Sequence, residues 1–377
     1  MGDNHIQKLT MPKWGLAMTH GKVIDWVVAE GDPVAAGAEI VEVETEKITG
    51  AVEAPIGGIL RRLVARPGDS IPVGGLLGVL AEPDVNDAEI EQFIEAFQPE
   101  EMEETGEDQG EVPEFVEVGG RRLCYLKRGA GDPPVVLLHG FTGNLNNWLF
   151  NHAELAKYRT VYALDLPGHG QSSKDVGDGS LGTLVESVRD WMDVIGVSRA
   201  HFVGHSMGGA ITLALAEQYP ERVLSCALIC SGGLGPEIDH EYLDCVVEAD
   251  RRKQLKPQLE KLFADPAQVT RQLVDDVLKF KRLDGVADAL RTIAGQLVVD
   301  GQQAWMIGDR LQSLAAQIMV IWGAEDRIVP ATHAKNLPTA VRVEVLEGCG
   351  HMVQMEEAGK VTRLLQEFIA SAAEVRR

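Results

Sequence analysis

Gly204-His205-Ser206-Met207-Gly208 is the stretch of this chain best suited to covalent chemistry. It follows the apolar run Ala200-His201-Phe202-Val203, which reads as a strand end, and precedes Gly209 to Ala216, which reads as a buried helix. In a strand, G-x-S-x-G, helix sequence the serine sits on a strained turn with its hydroxyl clear of the sheet edge. Side chains at the flanking glycines would meet the neighbouring strand and helix. The helix that starts after the serine points backbone N–H groups at the place where an oxyanion would form. Serine is a poor nucleophile until a neutral imidazole takes its proton, and a carboxylate must hold that imidazole in the right tautomer. A competent site therefore needs a histidine and an acid at the same sheet edge.

The elements that would supply them alternate from Glu114 onward. Val135-Val136-Leu137-Leu138 is an all-apolar run, as in a strand covered on both faces, and leads into His139-Gly140-Phe141-Thr142-Gly143. Thr160 to Leu164 is a strand ending at Asp165, and Ala227 to Cys230 is another, with Cys226 and Cys230 read as small core residues. Ile318 to Trp322 runs into Gly323-Ala324-Glu325-Asp326, and Arg342 to Leu346 runs into Glu347-Gly348-Cys349-Gly350-His351. Asp326 and His351 thus each follow a strand, and their side chains converge at the carboxyl ends of the sheet. Between Gly235 and Gly308 lies a helix-rich insertion, expected to cap the pocket.

Residues 114–375 resemble the α/β-hydrolase superfamily, with several motifs in register. The order Ser206, Asp326, His351 is that superfamily's order of nucleophile, acid and base. The resemblance implies that the backbone N–H groups of Phe141 and Met207 bind the oxyanion. His139, His205, His169 and His333 are rival bases, and Asp165 a rival acid. The first two belong to the loop motifs and are expected to pack there. No metal is expected.

The first eighty residues hold an internal repeat. Gly21/Gly58, Gly31/Gly68, Asp32/Asp69 and Gly37/Gly74 share an offset of 37. Short β-type runs between glycine turns imply two similar halves facing each other. Between them, Glu44-Thr45-Glu46-Lys47-Ile48 breaks the alternation as a hairpin tip does, which leaves Lys47 exposed. Met11-Pro12-Lys13-Trp14-Gly15-Leu16-Ala17-Met18 together with that tip resembles the lipoyl domains of 2-oxo-acid dehydrogenase acyltransferases. The likeness covers residues 5–82 and implies lipoic acid amide-linked to Lys47. The family's usual aspartate before the lysine is here Glu46, and the methionines of biotin carriers are absent.

Residues 83–113 form an acidic linker. Thirteen acidic residues and no lysine, arginine or histidine fall between positions 82 and 111, a composition that cannot bury a core and repels itself. Ile90, Phe93, Ile94 and Phe97 nevertheless lie on one helical face, and Asn86 with Glu89 would cap a short helix at 87–97. That helix either packs on its own lipoyl domain or docks a partner enzyme.

The fold class expected is multidomain: an N-terminal all-β flattened lipoyl barrel, then an α/β-hydrolase fold over 114–377 with a helical cap at about 235–308. A chain of 377 residues and 45% apolar content has ample sequence for both. Its formal net charge of −22 argues against nucleic acid or anionic membrane as partners. No apolar run is long enough to span a bilayer, the N-terminus lacks a secretion signal, and five cysteines without C-x-x-C suit a reducing, cytoplasmic setting. Arg251-Arg252-Lys253-Gln254-Leu255-Lys256 is the one dense basic run; it reads as a solvated helix face or as a contact for coenzyme A phosphates.

Conventional acyltransferase components end in a domain with an H-x-x-x-D-G signature. Gln296-Leu297-Val298-Val299-Asp300-Gly301 lacks its histidine, so the hydrolase-like domain is the candidate replacement. The whole chain resembles the acyltransferase component of bacterial acetoin dehydrogenase systems. This implies acetyl transfer from the lipoyl arm to coenzyme A through an acyl-serine. It also implies a thiamine-diphosphate-dependent component and a dihydrolipoyl dehydrogenase as partners, and a homo-oligomer is expected. A tethered serine hydrolase of thioester or carbon–carbon bonds, and a non-catalytic scaffold, are the alternatives.

Overall fold

The computed structural model describes residues 6–12, 20–45, 49–54, 56–83, 85–97, 112–335 and 337–374. Lys47 and most of the acidic linker, residues 98–111, lie outside the described residues. The chain forms two compact units, residues 1–110 and 111–377.

The first unit contains β1 (Ile6–Thr10), β2 (His20–Trp26), β3 (Pro33–Val34), β4 (Glu39–Glu44), β5 (Thr49–Glu53), β6 (Gly58–Leu63), β7 (Ser70–Pro72) and β8 (Leu76–Ala81). They make two four-stranded sheets, β1-β8-β6-β3 and β5-β4-β2-β7. Val23, Val43, Leu60 and Val79 are fully buried in the core.

The 37-residue repeat is reproduced in the backbone. Gly31 and Gly68 adopt φ of +94° and +96°, a left-handed turn that favours glycine. The hydrogen bonds are exchanged between halves. Gly31 donates to the Leu60 carbonyl at 2.7 Å and Gly68 to that of Val23 at 2.8 Å. Leu60 donates to Asp32 at 3.0 Å and Val23 to Asp69 at 2.9 Å. β4 and β5 pair antiparallel and end opposite each other at Glu44 and Thr49, so Lys47 falls in their short connection.

The apolar helical face in the linker is folded onto this same unit. Helix α1 (Asp87–Ala96) begins at Asn86, whose side chain accepts from the Glu89 amide at 2.9 Å. Ile90 is fully buried against Leu76, Val79 and Ala81, with Phe93, Ile94 and Phe97 packed around it. Arg61 pairs with Asp87 at 2.8 Å and Arg62 with Glu91 at 2.7 Å.

The second unit is built on an eight-stranded sheet of order β18-β17-β14-β13-β11-β12-β10-β9. Its strands are β9 (Glu114–Val118), β10 (Arg121–Arg128), β11 (Val135–Leu138), β12 (Val161–Leu164), β13 (Ala200–His205), β14 (Val223–Ile229), β17 (Gln317–Gly323) and β18 (Arg342–Leu346). From β12 to β18 the neighbours are parallel. Every residue of β11 to β14 is buried, which accounts for their largely apolar character; the buried polar exceptions include His201 and Ser225, which hydrogen-bond each other at 2.8 Å across β13 and β14. Helices α2 (Leu149–Ala156), α3 (Leu181–Val194), α4 (Met207–Gln218), α9 (Val353–Glu356) and α10 (Ala358–Glu374) cover the sheet, α2 against α10 and α3 against α4.

Between β14 and β17 the chain inserts α5 (His240–Glu248), α6 (Arg252–Leu259), α7 (Arg271–Lys281), α8 (Val286–Leu297) and a small hairpin, β15 (Val298–Val299) and β16 (Gln302–Gln303). Gln303 stitches the base of this insertion. Its carbonyl accepts from Gly233 at 2.8 Å, and its amide donates to Gly235 at 2.8 Å and Glu237 at 3.1 Å.

Candidate active site

β11 is flanked by β12 on one side and β13 on the other, so the strand order reverses beside it. In open α/β sheets that reversal opens a crevice at the carboxyl ends of the strands. The turn after β11 carries Phe141, and the turn after β13 carries Ser206.

Ser206 has φ 52° and ψ −115°, a strained conformation for a residue with a side chain. Its surroundings over-determine it. The Ser206 amide donates to Ile229 at 2.9 Å, and its carbonyl accepts from Gly209 at 2.9 Å and Gly232 at 3.0 Å. A Cβ on Gly208 would run into the Leu138 carbonyl; one on Gly140 would lie 2.8 Å from His205 Nδ1 and 3.0 Å from Ser206 Cβ. The glycines thus let the β11 loop close directly against the nucleophile. Ser206 itself keeps partial exposure.

Phe141 N–H donates to no acceptor among the described residues. Met207 opens α4, so its amide has no partner within the helix. Both donors are free for an oxyanion beside Ser206. The Phe141 ring packs on a buried cluster of Val247, Val286 and Leu290 in the inserted helices.

His351 and Asp326 are brought together. His351 Nδ1 donates to Asp326 Oδ2 at 2.8 Å, with both side chains buried. This fixes the tautomer that leaves Nε2 with its lone pair. Asp326 Oδ1 accepts from the Ile328 amide at 2.8 Å and the Val329 amide at 3.0 Å. Burial alone would raise the Asp326 pKa, but the His351 ring and these amides outweigh it and hold the carboxyl below its ordinary range.

His351 is also tied to the nucleophile's turn. His205 Nε2 donates to the His351 carbonyl at 2.8 Å, and the two rings lie 4.7 Å apart. Among the described residues no hydrogen bond joins Ser206 Oγ to the His351 ring. General-base sites often close that bond only around substrate.

The rival groups are occupied elsewhere. Burial, aided by the neighbouring His351 ring, pushes the His205 pKa down to about 3, and burial pushes His169 down to about 4. Burial holds His139 well below its usual value; its Nε2 accepts from Leu166 at 3.0 Å. His333 pairs with Glu237 at 2.6 Å. Asp165 is raised by burial and accepts from the Leu145 and Gln171 amides at 2.7 and 2.8 Å, pinning loops rather than an imidazole.

Three participants escaped the sequence. Trp322 Nε1 donates to Asp326 Oδ2 at 3.1 Å and to the Val329 carbonyl at 2.9 Å. Cys230 is fully buried, as expected of a core residue, and it also borders the His351–Asp326 pair. It lies just past β14 with φ 43°, and its sulfur falls within 4.8 Å of the ligating atoms of Asp326 and His351. Burial, then the Asp326 charge, drives its thiol well above the ordinary value, so it stays neutral. Glu356 accepts from Gly350 at 2.7 Å and from Ala264 at 2.6 Å, joining the histidine loop to the inserted helices. A tryptophan four positions before the acid was the one signal available.

The family described as "alpha/beta hydrolase fold" matches residues 133–358, and that described as "Biotin-requiring enzyme" matches residues 7–80. The chain belongs to the α/β-hydrolase-fold proteins, with a lipoyl-type domain ahead of the hydrolase domain. A relative from Pseudomonas putida, the dihydrolipoyllysine-residue acetyltransferase component of its acetoin cleaving system, is 48% identical over 371 residues, 97% of this chain and 99% of its own length. The corresponding component from Cupriavidus necator is 44% identical over 361 residues, 96% of each chain. A solved 2-hydroxy-6-oxo-6-phenylhexa-2,4-dienoate hydrolase from Rhodococcus superposes with a TM-score of 0.61 at 26% identity, covering 69% of this chain and all of its own. Within the wider fold, the chain is therefore a member of the family of dihydrolipoyllysine-residue acetyltransferase components of acetoin cleaving systems, and an acyltransferase. No helix among the described residues is long and apolar enough to cross a membrane.

Proposed function

We propose that the protein passes acetyl from a lipoyl arm on Lys47 to coenzyme A through an acyl-enzyme on Ser206. The observation that carries this reading is the whole-length likeness to acetyltransferase components, set beside a buried His351–Asp326 pair next to a strained serine turn. Lipoic acid amide-linked to Lys47 would supply, once attached and with its disulfide reduced, a thiol able to carry acetyl as a thioester. The antiparallel β4–β5 pairing, with Glu44 opposite Thr49, supports such an attachment, because Lys47 lies in sequence between those two strands.

His351 Nε2 takes the Ser206 proton as Oγ attacks the thioester carbonyl. The Phe141 and Met207 amides bear the oxyanion, each contributing about 3–4 kcal/mol to lowering the barrier. Asp326 stabilises the imidazolium, which returns its proton to the departing thiolate. His351 next deprotonates the coenzyme A thiol, sulfur attacks the acetyl-serine carbonyl, and the proton goes back to Ser206 Oγ. The inserted helices exclude water, which would otherwise release acetate.

On this reading residues 5–82 are the carrier domain, 83–113 the tether and 114–377 the catalytic domain with its cap at 235–308. The chain works in the cytoplasm as a homo-oligomer with a thiamine-diphosphate-dependent component and dihydrolipoyl dehydrogenase. The likeness to solved hydrolases supports a second reading, hydrolysis of a thioester or carbon–carbon bond. Feeding S-acetyl-dihydrolipoamide and coenzyme A to wild type and Ser206→Ala separates them. Acetyl-coenzyme A from wild type alone is expected; acetate in its place favours the hydrolase, and undiminished transfer by Ser206→Ala refutes both. Intact mass of Lys47→Arg, expected to lack the lipoyl increment, tests the arm.

A further inference from the structure

We propose that a cavity at the N-terminal end of α6 binds the phosphates of the acyl acceptor, a nucleotide-bearing thiol of the coenzyme A class. This rests on the acyltransferase reading above. The cavity measures about 500 Å³, within the range of small-molecule sites. Five cations, Arg251, Arg252, Lys253, Lys279 and Arg282, line it against two carboxylates, Asp250 and Asp275, with Leu278 as an apolar wall. That is a local surplus of three positive charges in a chain of formal net charge −22.

The carboxylates do not neutralise these cations evenly. Arg252 is committed to a two-pronged pair with Asp275, which fastens α6 to α7. Lys279 leans on Asp276 at 3.2 Å. Arg251 reaches Asp250 only at 3.6 Å, with its side chain 81% exposed. Arg282 donates to the Asp250 carbonyl at 3.5 Å and forms no ion pair among the described residues, nor does Lys253. Two guanidinium forks and an ammonium thus keep donors in hand on one concave surface, the combination that suits phosphate oxygens.

The position relative to the active site fits an acceptor with an anionic head and a long arm. Phe280, beside Lys279 in α7, and Val247, three residues before Asp250, belong to the apolar cluster on which Phe141 packs. That cluster links the cavity's helices to the loop whose amide faces the oxyanion. Just past the other end of α6, in a 3-10 turn over Glu260–Leu262, the Leu262 carbonyl accepts from Met352, next to the base, at 3.0 Å. From Lys253 to Leu259 the helix rises about 9 Å at about 1.5 Å per residue, and the turn adds about 6 Å. A phosphate held at the cavity therefore leaves room for an extended pantetheine arm to bring its sulfur toward Ser206.

The full-length protein and Arg251→Glu/Lys253→Glu are assayed with S-acetyl-dihydrolipoamide as donor. The acceptor is coenzyme A or pantetheine, which has the same thiol and no phosphate. The ratio of kcat/KM for coenzyme A to that for pantetheine is expected to fall about tenfold or more in the variant, the scale of one lost charge-assisted hydrogen bond. Arg282→Gln should lower it in the same direction, and added salt should lower the wild-type ratio. An unchanged ratio overturns the assignment, including where both acceptors decline together, because a damaged cap would affect both. Failure of the acyltransferase reading shows separately, as acetate from the wild type. Calorimetric titration of coenzyme A then decides the cavity: equal affinity for wild type and variant overturns it, and at least tenfold weaker binding to the variant supports it.

Discussion

Asp326→Asn tests the site at its most constrained point. Four donors converge on the carboxylate: the Ile328 and Val329 amides on Oδ1, and Trp322 Nε1 and His351 Nδ1 on Oδ2. An asparagine keeps the shape but exchanges one acceptor oxygen for a donor NH2 group. The two backbone amides cannot turn away, so the asparagine oxygen stays with them and its NH2 faces Trp322 and His351. His351 Nδ1 must then accept, which moves the ring proton to Nε2, the nitrogen needed as base. The expected loss in kcat is about ten-thousand-fold. The buried clash of NH2 with the indole N–H should cost about 1–3 kcal/mol of stability. Trp322→Phe is the control. It removes one donor without changing the tautomer, and should lower kcat only about tenfold. Acetyl-coenzyme A formation from S-acetyl-dihydrolipoamide measures both. If Asp326→Asn keeps kcat within tenfold of wild type, or falls no further than Trp322→Phe, the assignment of Asp326 as orienting acid is wrong.

The same carboxylate makes stability depend on pH. Its folded pKa lies below the unfolded value of about 3.9, so its contribution is present above that value and is lost as pH falls through the folded pKa. The stability gap between wild type and Asp326→Asn should therefore narrow in urea melts taken below pH 4. Gly31→Ala and Gly68→Ala should each destabilise the first unit by about 1–2 kcal/mol. No atom lies within 4 Å of either added methyl, so the cost is one of backbone conformation, and matching shifts in the full-chain thermal melt are expected. Gln303→Ala removes three hydrogen bonds at the base of the inserted helices. It should cost about 2–3 kcal/mol and raise the share of acetate among the products, read by denaturant melts and product analysis.

What could be read from the chain depended on how local each signal was. The turn at Ser206 announces itself because its glycines, the strand before and the helix after lie within twenty residues. The repeat is visible because each turn needs glycine at the same place in both halves. Asp326 and His351 were legible as residues following strands, but Trp322, Cys230 and Glu356 were not. Their roles arise from contacts that exist only once β14, β17 and the histidine loop are side by side. The periodicity of α1 disclosed which face was apolar and left open what would cover it. Its cover proved to be β8 and the residues before the helix, with Arg61 and Arg62 reaching over to its acidic side.

The crossed pairing of the first unit has a mechanical consequence. Gly31 is satisfied by Leu60 and Gly68 by Val23, so neither half can complete its own turn alone. A fragment cut between them would lose the acceptors for both. Such an interlocked platform melts as one piece, and a load drawn on the hairpin between β4 and β5 is shared across both sheets. If the lysine between β4 and β5 carries the proposed arm, each acetyl delivery loads a platform whose two halves hold each other's turns closed.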